Sequence, residues 1–339
     1  MTENVVLLAH GSGGTLSQEL IEQIFVRHMA DDVLSGMEDA AIVPLPSEPH
    51  GSLALTTDSF VVQPLFFPGG DIGKLSVCGT VNDLAMRGAR PLYLTTGYVI
   101  EEGFPMADLD RIAASQAATA RVAGVRIVAG DTKVVERGSG DGVFINTAGI
   151  GLVPDGVRIS AGNAQPGDAI LLSGAVGDHG LAIMTRREGL EFASPLSSDC
   201  APLNDLVARM LAACPQIHVL RDPTRGGVAT ALNELAERSG VSMEIAEEAV
   251  PVHAPVAAAA ELLGLDPLYV ANEGKLIAIV PAGEAGALLA AMRAHPLGAE
   301  ATAIGRVLEG NAGRVVLRTA LGTRRLLDRL AGEQLPRIC

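Results

Sequence analysis

The sequence predicts an α+β protein of two domains, and three observations carry that prediction. Its 339 residues, at roughly 150 per domain, suffice for two cores. Hydrophobic residues make up 48% and charged ones 19%, a balance that excludes a disordered chain or a coiled coil. Strand-like and helix-like stretches alternate in both halves without the regular strand–helix–strand rhythm of a doubly wound sheet. A turn-rich stretch from Pro154-Asp155-Gly156 to Asp168 is the natural boundary. The expected division is a Gly-rich leading segment (1–35), a first domain (36–153), a second (154–310), and a C-terminal strand/helix with a mobile tail (311–339).

The elements follow in order. Val5 to Ala9 is apolar and runs into His10-Gly-Ser-Gly-Gly14, after which Thr15 caps a helix from Leu16 to about Met29. A strand covers Leu53–Thr57 and ends at Asp58, and Ile72 to about Met86 is helical. Pro91–Ile100 and Val125–Ala129 are strands flanking an alanine-rich helix over Ala107–Ala123. Val143–Val153, uncharged and β-branched, closes the first half as a strand. The second half places strands at Ala169–Leu172, Val241–Ile245, Leu276–Val280 and Ala301–Val307. Helices are expected near Gly180–Arg187, Leu203–Ala212, Gly226–Arg238, Val256–Leu263, Ala285–Ala294 and Leu321–Leu330. Gly332 then stops the last helix and Pro336 keeps the tail extended.

Composition excludes several functions. Net charge is −14, unfavourable for a nucleic-acid surface. Aromatic residues are 3% with no tryptophan, too few for base-stacking platforms. No run reaches the ~18 apolar residues of a membrane span, and the start lacks a basic secretory n-region, so a cytoplasmic chain is expected. Cys78, Cys200, Cys214 and Cys339 form no CxxC pair, which argues against zinc and a disulfide framework. The first three read as small buried hydrophobes.

Four features carry chemistry, each with an ordinary alternative. His10-Gly-Ser-Gly-Gly14 before a helix suits an anion, although a plain glycine turn has the same composition, and His10 either touches phosphate or ends a strand. Carboxylates recur at element ends: Glu38-Asp39, Asp58, Asp83, Asp131 and Asp222. Their convergence would imply a cation, since like charges repel, whereas isolated aspartates commonly cap turns. Asp222-Pro-Thr-Arg-Gly-Gly227 opens a helix where Arg225 can clamp phosphate or where the helix is simply capped. Cys339, the last residue, is either a frayed end or a thiol tethered to reach an active site. Of the 25 basic residues only Lys74, Lys133 and Lys275 are lysines, each among glycines and acids, where a compact ammonium differs from a guanidinium.

Taken in order, these stretches with Thr57-Asp58-Ser59-Phe60-Val61-Val62, Phe67-Pro-Gly-Gly-Asp-Ile-Gly-Lys74, Gly79-Thr-Val-Asn-Asp-Leu-Ala85, Ala129-Gly-Asp-Thr-Lys-Val-Val135 and terminal Pro336-Arg-Ile-Cys339 closely resemble the HypE family. These are carbamoyl dehydratases of NiFe-hydrogenase maturation, within the aminoimidazole ribonucleotide synthetase (PurM-like) superfamily. The match spans nearly the whole chain, and the terminal Pro-Arg-Ile-Cys is its specific part.

The resemblance implies two PurM-like domains, with N-terminal strands forming the β-barrel of a homodimer, a C-terminal α+β sandwich and a flexible tail. It implies ATP and Mg²⁺ as cofactors. The partner HypF carbamoylates the tail cysteine, the group is dehydrated to a thiocyanate, and cyanide passes to iron on the HypC–HypD complex. Residue by residue, Asp39, Asp58, Asp83, Asp131 and Asp222 hold Mg²⁺, with Glu38 left out because relatives often carry Asp there. Gly11, Gly13 and Gly14 close over the nucleotide, Lys74 stands near its phosphates, and Asn82, Thr132, Arg225, Gly226 and Gly227 complete the site. Cys339 carries the reacting group, and Glu273 or Lys133 is the base, one orienting the other. Independently of the resemblance, the predicted helix stop marks Gly332 and Glu333 as the tail's expected hinge. The alternatives are a small-molecule kinase or amide-activating synthetase, which turns over without Cys339, and a non-catalytic carrier, which releases no ADP.

Overall fold

A computed structural model describes residues 5–11, 15–29, 31–35, 43, 50–190, 196–310, 312–329 and 338–339. The leading segment forms α1 (Thr15–Leu20), which continues through a π-helical stretch (Ile21–Val26) into α2 (Arg27–Met29), then α3 (Asp32–Ser35). The first domain comprises β1 (Gly51–Phe60), the short pair β2 (Phe66–Phe67) and β3 (Gly70–Asp71), α4 (Ile72–Met86), β4 (Arg90–Glu101), α5 (Met106–Ala123), β5 (Arg126–Val135) and β6 (Val143–Pro154). The second comprises β7 (Ala169–Leu172), α6 (Asp178–Arg187), α7 (Asn204–Ala213), β8 (Val219–Arg221), α8 (Gly227–Ser239), β9 (Ser242–Ala246), α9 (Ala254–Leu263), β10 (Ile277–Val280), α10 (Ala285–Arg293), β11 (Thr302–Leu308), β12 (Arg314–Arg318) and β13 (Arg324–Leu326).

The first sheet runs β1-β6-β4-β5, antiparallel except for the parallel β4–β5 pair. Alternation along β1 turns Asp58 and Phe60 toward the helices while Leu53 and Leu55 stay exposed at 50% and 72%. Val99 of β4 is likewise exposed, so one face of this sheet carries α4 and α5 and the other is bare among the described residues. An antiparallel sheet tolerates that arrangement, but an apolar bare face marks a contact surface.

The second sheet, in the order β13-β12-β9-β11-β7-β10-β8, is covered on both faces. Ile170, Leu172, Ile277 and Ile279 pack under Leu232 and Leu235 of α8. Leu171, Ala278 and Val280 face Leu206 and Met210 of α7 and Leu288 and Met292 of α10. Two-sided burial is why β7 and β10 read as unbroken apolar runs.

Helix α4 joins the domains. Asp71 caps it by accepting the Lys74 N–H at 3.0 Å, and it is buried nearly all round, as a helix wedged between two layers must be. Its Asn82 side-chain amide donates to the carbonyls of Ala201 and Glu273 at 3.1 and 3.2 Å, and its oxygen accepts the Leu203 N–H at 2.8 Å. All three partners belong to the second domain.

The helix expected over Leu321–Leu330 is a correction. Residues 319–323 turn back, with Thr323 N–H donating to Thr319 Oγ1 and Gly322 at φ +80, and β13 pairs antiparallel with β12. Hydrogen bonds to a strand that sequence proximity makes available outweigh the segment's helix propensity. The short strand β8 carries too little periodicity to be anticipated, whereas β12 falls in the C-terminal stretch where a strand is expected.

Replacing Asn82 by Ala leaves the Leu203 N–H and two buried carbonyls without their partner. Chemical denaturation should show a loss of about 1–3 kcal/mol; an unchanged midpoint would mean that Asn82 does not join the domains.

Candidate active site

Carboxylates from four separate stretches meet where the domains join. Asp58 comes from β1, Asp83 from the last turn of α4, Asp222 follows β8, and Glu273 precedes β10. Asp83 accepts the Thr56 hydroxyl at 2.8 Å. Its pKa rises to about 6 through burial, then the charges of Asp222 and Asp58, against that hydrogen bond. Burial raises Asp222 as well, with Asp58 adding repulsion and Arg221 opposing it. Burial also raises Asp58, opposed by the Ser59 N–H and by Arg225. Mutual elevation of this kind requires that the groups be neighbours.

Glu273 lies behind them, 3% exposed, and its Oε1 has no hydrogen-bond partner among the described residues. Burial holds its pKa well above the carboxylate range, with Cys200, Asp222, Asp199 and Asp58 adding to the rise. The peptide carrying it is fixed on both sides. Asn82 takes its carbonyl, and Asn272, through its own side chain, ties this loop to Pro223 O at 3.0 Å and to Gly177 N–H at 2.8 Å.

The chain's last residue enters the same place. Val61 N–H donates to an oxygen of the Cys339 terminal carboxylate at 3.1 Å, and Ile338 is 4% exposed within a core cluster shared with Phe67 and Leu181. Burial pushes the Cys339 thiol up to about 12; the Glu273 and Asp58 charges raise it and Arg225 lowers it. The exposed Arg225 is thus within electrostatic reach of both Asp58 and Cys339.

Four expected site residues lie away from this cluster within the chain. Asp131 and Lys133 pair with each other at 2.8 Å on exposed side chains, and they stand with Thr132 on β5. That strand is separated from β1 by β6 and β4, some 14 Å at usual strand spacing. Lys74 donates to Gly69 O at 2.8 Å and sits nine residues along α4 from Asp83, ~13 Å. Asn82 is fully engaged between domains rather than turned to a ligand. Other expected residues have backbone reasons for their identity. A Cβ on Gly11 would lie 2.7 Å from Val134 N, and one on Gly227 (φ +61) 2.5 Å from Leu268 O. Gly226, at φ +75, forms the turn into α8 in a conformation that other residues seldom adopt. His10 turns its Nδ1 to the Leu7 N–H at 2.8 Å. Gly13, Gly14, Asp39, Glu38, Gly332 and Glu333 lie outside the described residues. Cys78, Cys200 and Cys214 are free and buried, as expected.

Among the described residues no three acidic, cysteine or histidine side chains close on one point as a finished metal cage. Asp58, Asp83 and Asp222 nevertheless fit Mg²⁺. They supply hard oxygens and repel one another without a counter-charge, and Mg²⁺ ordinarily takes only one or two carboxylates, with phosphate and water filling its octahedron.

Models of two families match: "AIR synthase related protein, N-terminal domain" over residues 37–153 and its C-terminal domain over 165–318. The chain is thus a two-domain protein of the AIR synthase-related class. Its similarity is more specific than that class. The carbamoyl dehydratase HypE of Cupriavidus necator is 57% identical over 332 residues, 98% of this chain and 94% of the relative. A crystal structure of the hydrogenase maturation protein HypE in complex with ATP superposes at a TM-score of 0.94, 52% identical, covering 98% of this chain and 99% of that one. The HypE chain of a HypE–HypF complex gives 0.80 at 49% identity, covering 94% and 100%. The chain belongs to the HypE family of carbamoyl dehydratases.

The charge cluster makes stability depend on pH and cation together. Asp83 in the folded state, at about 6, binds protons more tightly than in the unfolded chain, so stability of the metal-free protein falls as pH rises from about 4 to 6. Mg²⁺ should raise Tm near neutral pH and lose that effect near pH 5. Calorimetry showing the same Mg²⁺ increment at both pH values, or in Asp83→Asn, would remove these carboxylates as its site.

Proposed function

We propose that this protein uses ATP to dehydrate an S-carbamoyl group on its own Cys339 to a thiocyanate, the cyanide source for NiFe-hydrogenase iron. The observation that carries the reading is the docked chain end: a half-buried sulfur beside a buried, hydrogen-bond-deficient carboxyl and three repelling carboxylates. A frayed terminus has no reason to bury its last side chains in such surroundings. Membership of the HypE family and the ATP complex of a relative support the same conclusion.

The chemistry suits these groups. A carboxamide oxygen leaves only after phosphorylation, and phosphoryl transfer depends on positioning and charge neutralisation. Mg²⁺ held by Asp58, Asp83 and Asp222 would supply that neutralisation, and Arg225 would add a fixed positive charge. Phosphorylation of the oxygen releases one N–H proton to solvent and leaves an imidate; as phosphate then departs from carbon, the imidate nitrogen gives up its remaining proton and the carbon–nitrogen triple bond forms. Glu273 is the group to take that proton. Its raised pKa makes it a strong base once ionised, and neutralising Asp58 and Asp222 removes charges that hold it protonated. Lys133, engaged with Asp131 on an exposed strand, is the weaker candidate within one chain.

The bare apolar face of the first sheet supports a homodimer closed into a β-barrel through these strands. Asp131 and Lys133 stand on an outer strand of the described sheet, and Asp58 on the other. A second copy laid against β1 is what would bring Asp131, Thr132 and Lys133 to the remaining carboxylates. HypF is the expected carbamoyl donor, since a relative is known in complex with it. Delivery to a HypC–HypD scaffold, in the cytoplasm, follows from the family role. No helix among the described residues is long and apolar enough to cross a membrane.

Mass spectrometry of the C-terminal peptide tests the reaction. Carbamoylated protein given Mg-ATP should lose one water from the Cys339 peptide with ADP release, and Glu273→Gln should slow this by about 10²-fold or more. Full-rate water loss in Glu273→Gln would dismiss it as the base; ADP formation after deletion of Cys339 would favour a small-molecule kinase. Subunit sharing is tested by mixing two inactive variants, Asp58→Asn and Lys133→Ala. A shared site should regain about a quarter of wild-type activity in statistically mixed dimers, whereas sites built within single subunits should regain none.

A further inference from the structure

One buried titratable group has polar partners on both ring nitrogens that the chemistry above does not use. His179, in the first turn of α6, is 0% exposed. Its Nε2 lies 2.6 Å from the Ile338 carbonyl oxygen and its Nδ1 2.8 Å from Ser198 Oγ. Phe67 meets the ring edge-on, with centroids 5.6 Å apart.

The proton positions follow from the partners. A carbonyl only accepts, so Nε2 carries hydrogen and donates. Burial lowers the pKa of the ring, which keeps it neutral, so Nδ1 accepts and the Ser198 hydroxyl donates. Ser198 is itself fixed: its oxygen accepts the Cys200 N–H at 3.0 Å, and its N–H donates to Pro68 O at 2.8 Å. A loop of the second domain thereby sets the tautomer of the group that grips the tail.

We infer that His179, oriented by Ser198, is the positioning residue that latches the chain end, holding the Ile338 carbonyl so that the Cys339 sulfur stands beside Glu273. This rests on reading Cys339 as the tethered substrate, and adds how it is held and released. The same loop also positions the base. Asp199 accepts the N–H groups of Glu273 and Gly274 at 3.0 and 3.2 Å, and Lys275 stands 3.3 Å from its carboxylate. A Cβ on Gly274 would fall 1.8 Å from Asp199 O. Residues 198 and 199 therefore set substrate end and base in one frame. The latch is a bond between neutral groups, so opening it strands no buried charge, as a tail that must visit a carbamoyl donor requires.

Thiol access reads the latch directly, because the other three cysteines are buried. Alkylation of Cys339 by iodoacetamide without nucleotide, followed on the C-terminal peptide, should be about tenfold faster in His179→Phe, the scale of one lost buried hydrogen bond. His179→Gln, which keeps an N–H donor, should restore the slow rate. Dehydration of a pre-carbamoylated tail should slow by a similar factor in His179→Phe at unchanged ATP affinity. Equal alkylation of His179→Phe and wild type overturns the inference, and so does equal acceleration in the Phe and Gln variants, which marks packing alone. Should His179→Phe not fold, Ser198→Ala decides, with faster alkylation expected and a wild-type rate overturning. Alkylation needs no ATP, so loss of the dehydratase reading and loss of the latch are separately visible.

Discussion

Asp58, Asp83, Asp222 and Glu273 repel one another, so their meeting is sustained by something other than their own attraction. The hydrogen bonds of Asn82 and Asn272 do this work between neutral groups, tying α4 to the second domain and the 272–274 loop to the start of α8. Neither amide bears charge, so neither is weakened by the electrostatic cost it helps to hold. Apolar packing of Ala85 and Met86 against α7 residues adds the rest. The candidate active site is in this sense a strained feature at a seam, stabilised by well-satisfied polar groups around it.

On the proposed reaction the protein is its own substrate and meets conflicting demands. Its reacting group must be buried and dry for dehydration, yet must leave for another enzyme. The docked chain end meets the first demand through burial of Ile338 and half-burial of Cys339. A hold made of two hydrogen bonds, His179 to the Ile338 carbonyl and Val61 N–H to the terminal carboxylate, answers the second.

Much of the fold was legible in the chain, because long elements announce themselves by periodicity. Helix Ile72–Met86, helix Met106–Ala123 and strands β6, β7 and β10 fall where apolar spacing and β-branching put them. The segment after Leu321 was misread, since an arginine- and leucine-rich stretch has helix propensity and its pairing with β12 is a tertiary event. Of the site, the aspartates at element ends and the terminal cysteine were readable, as was Glu273 beside a glycine. His179, Ser198, Asp199 and Asn272 were not: they lie in three separate stretches, and their roles exist only as distances to residues remote in sequence.

The order of residues alone determined which carboxylates, glycines and terminal thiol the chain has available, since those are local matters of side-chain chemistry and backbone freedom. Tertiary structure decided which of them meet. It put Asp58, Asp83, Asp222 and Glu273 at one seam, and left Lys74 two and a half helical turns away and Asp131 with Lys133 on a far strand. Convergence depends on strand order and domain docking, and these are set by the burial of two apolar cores, a global quantity that no short motif contains.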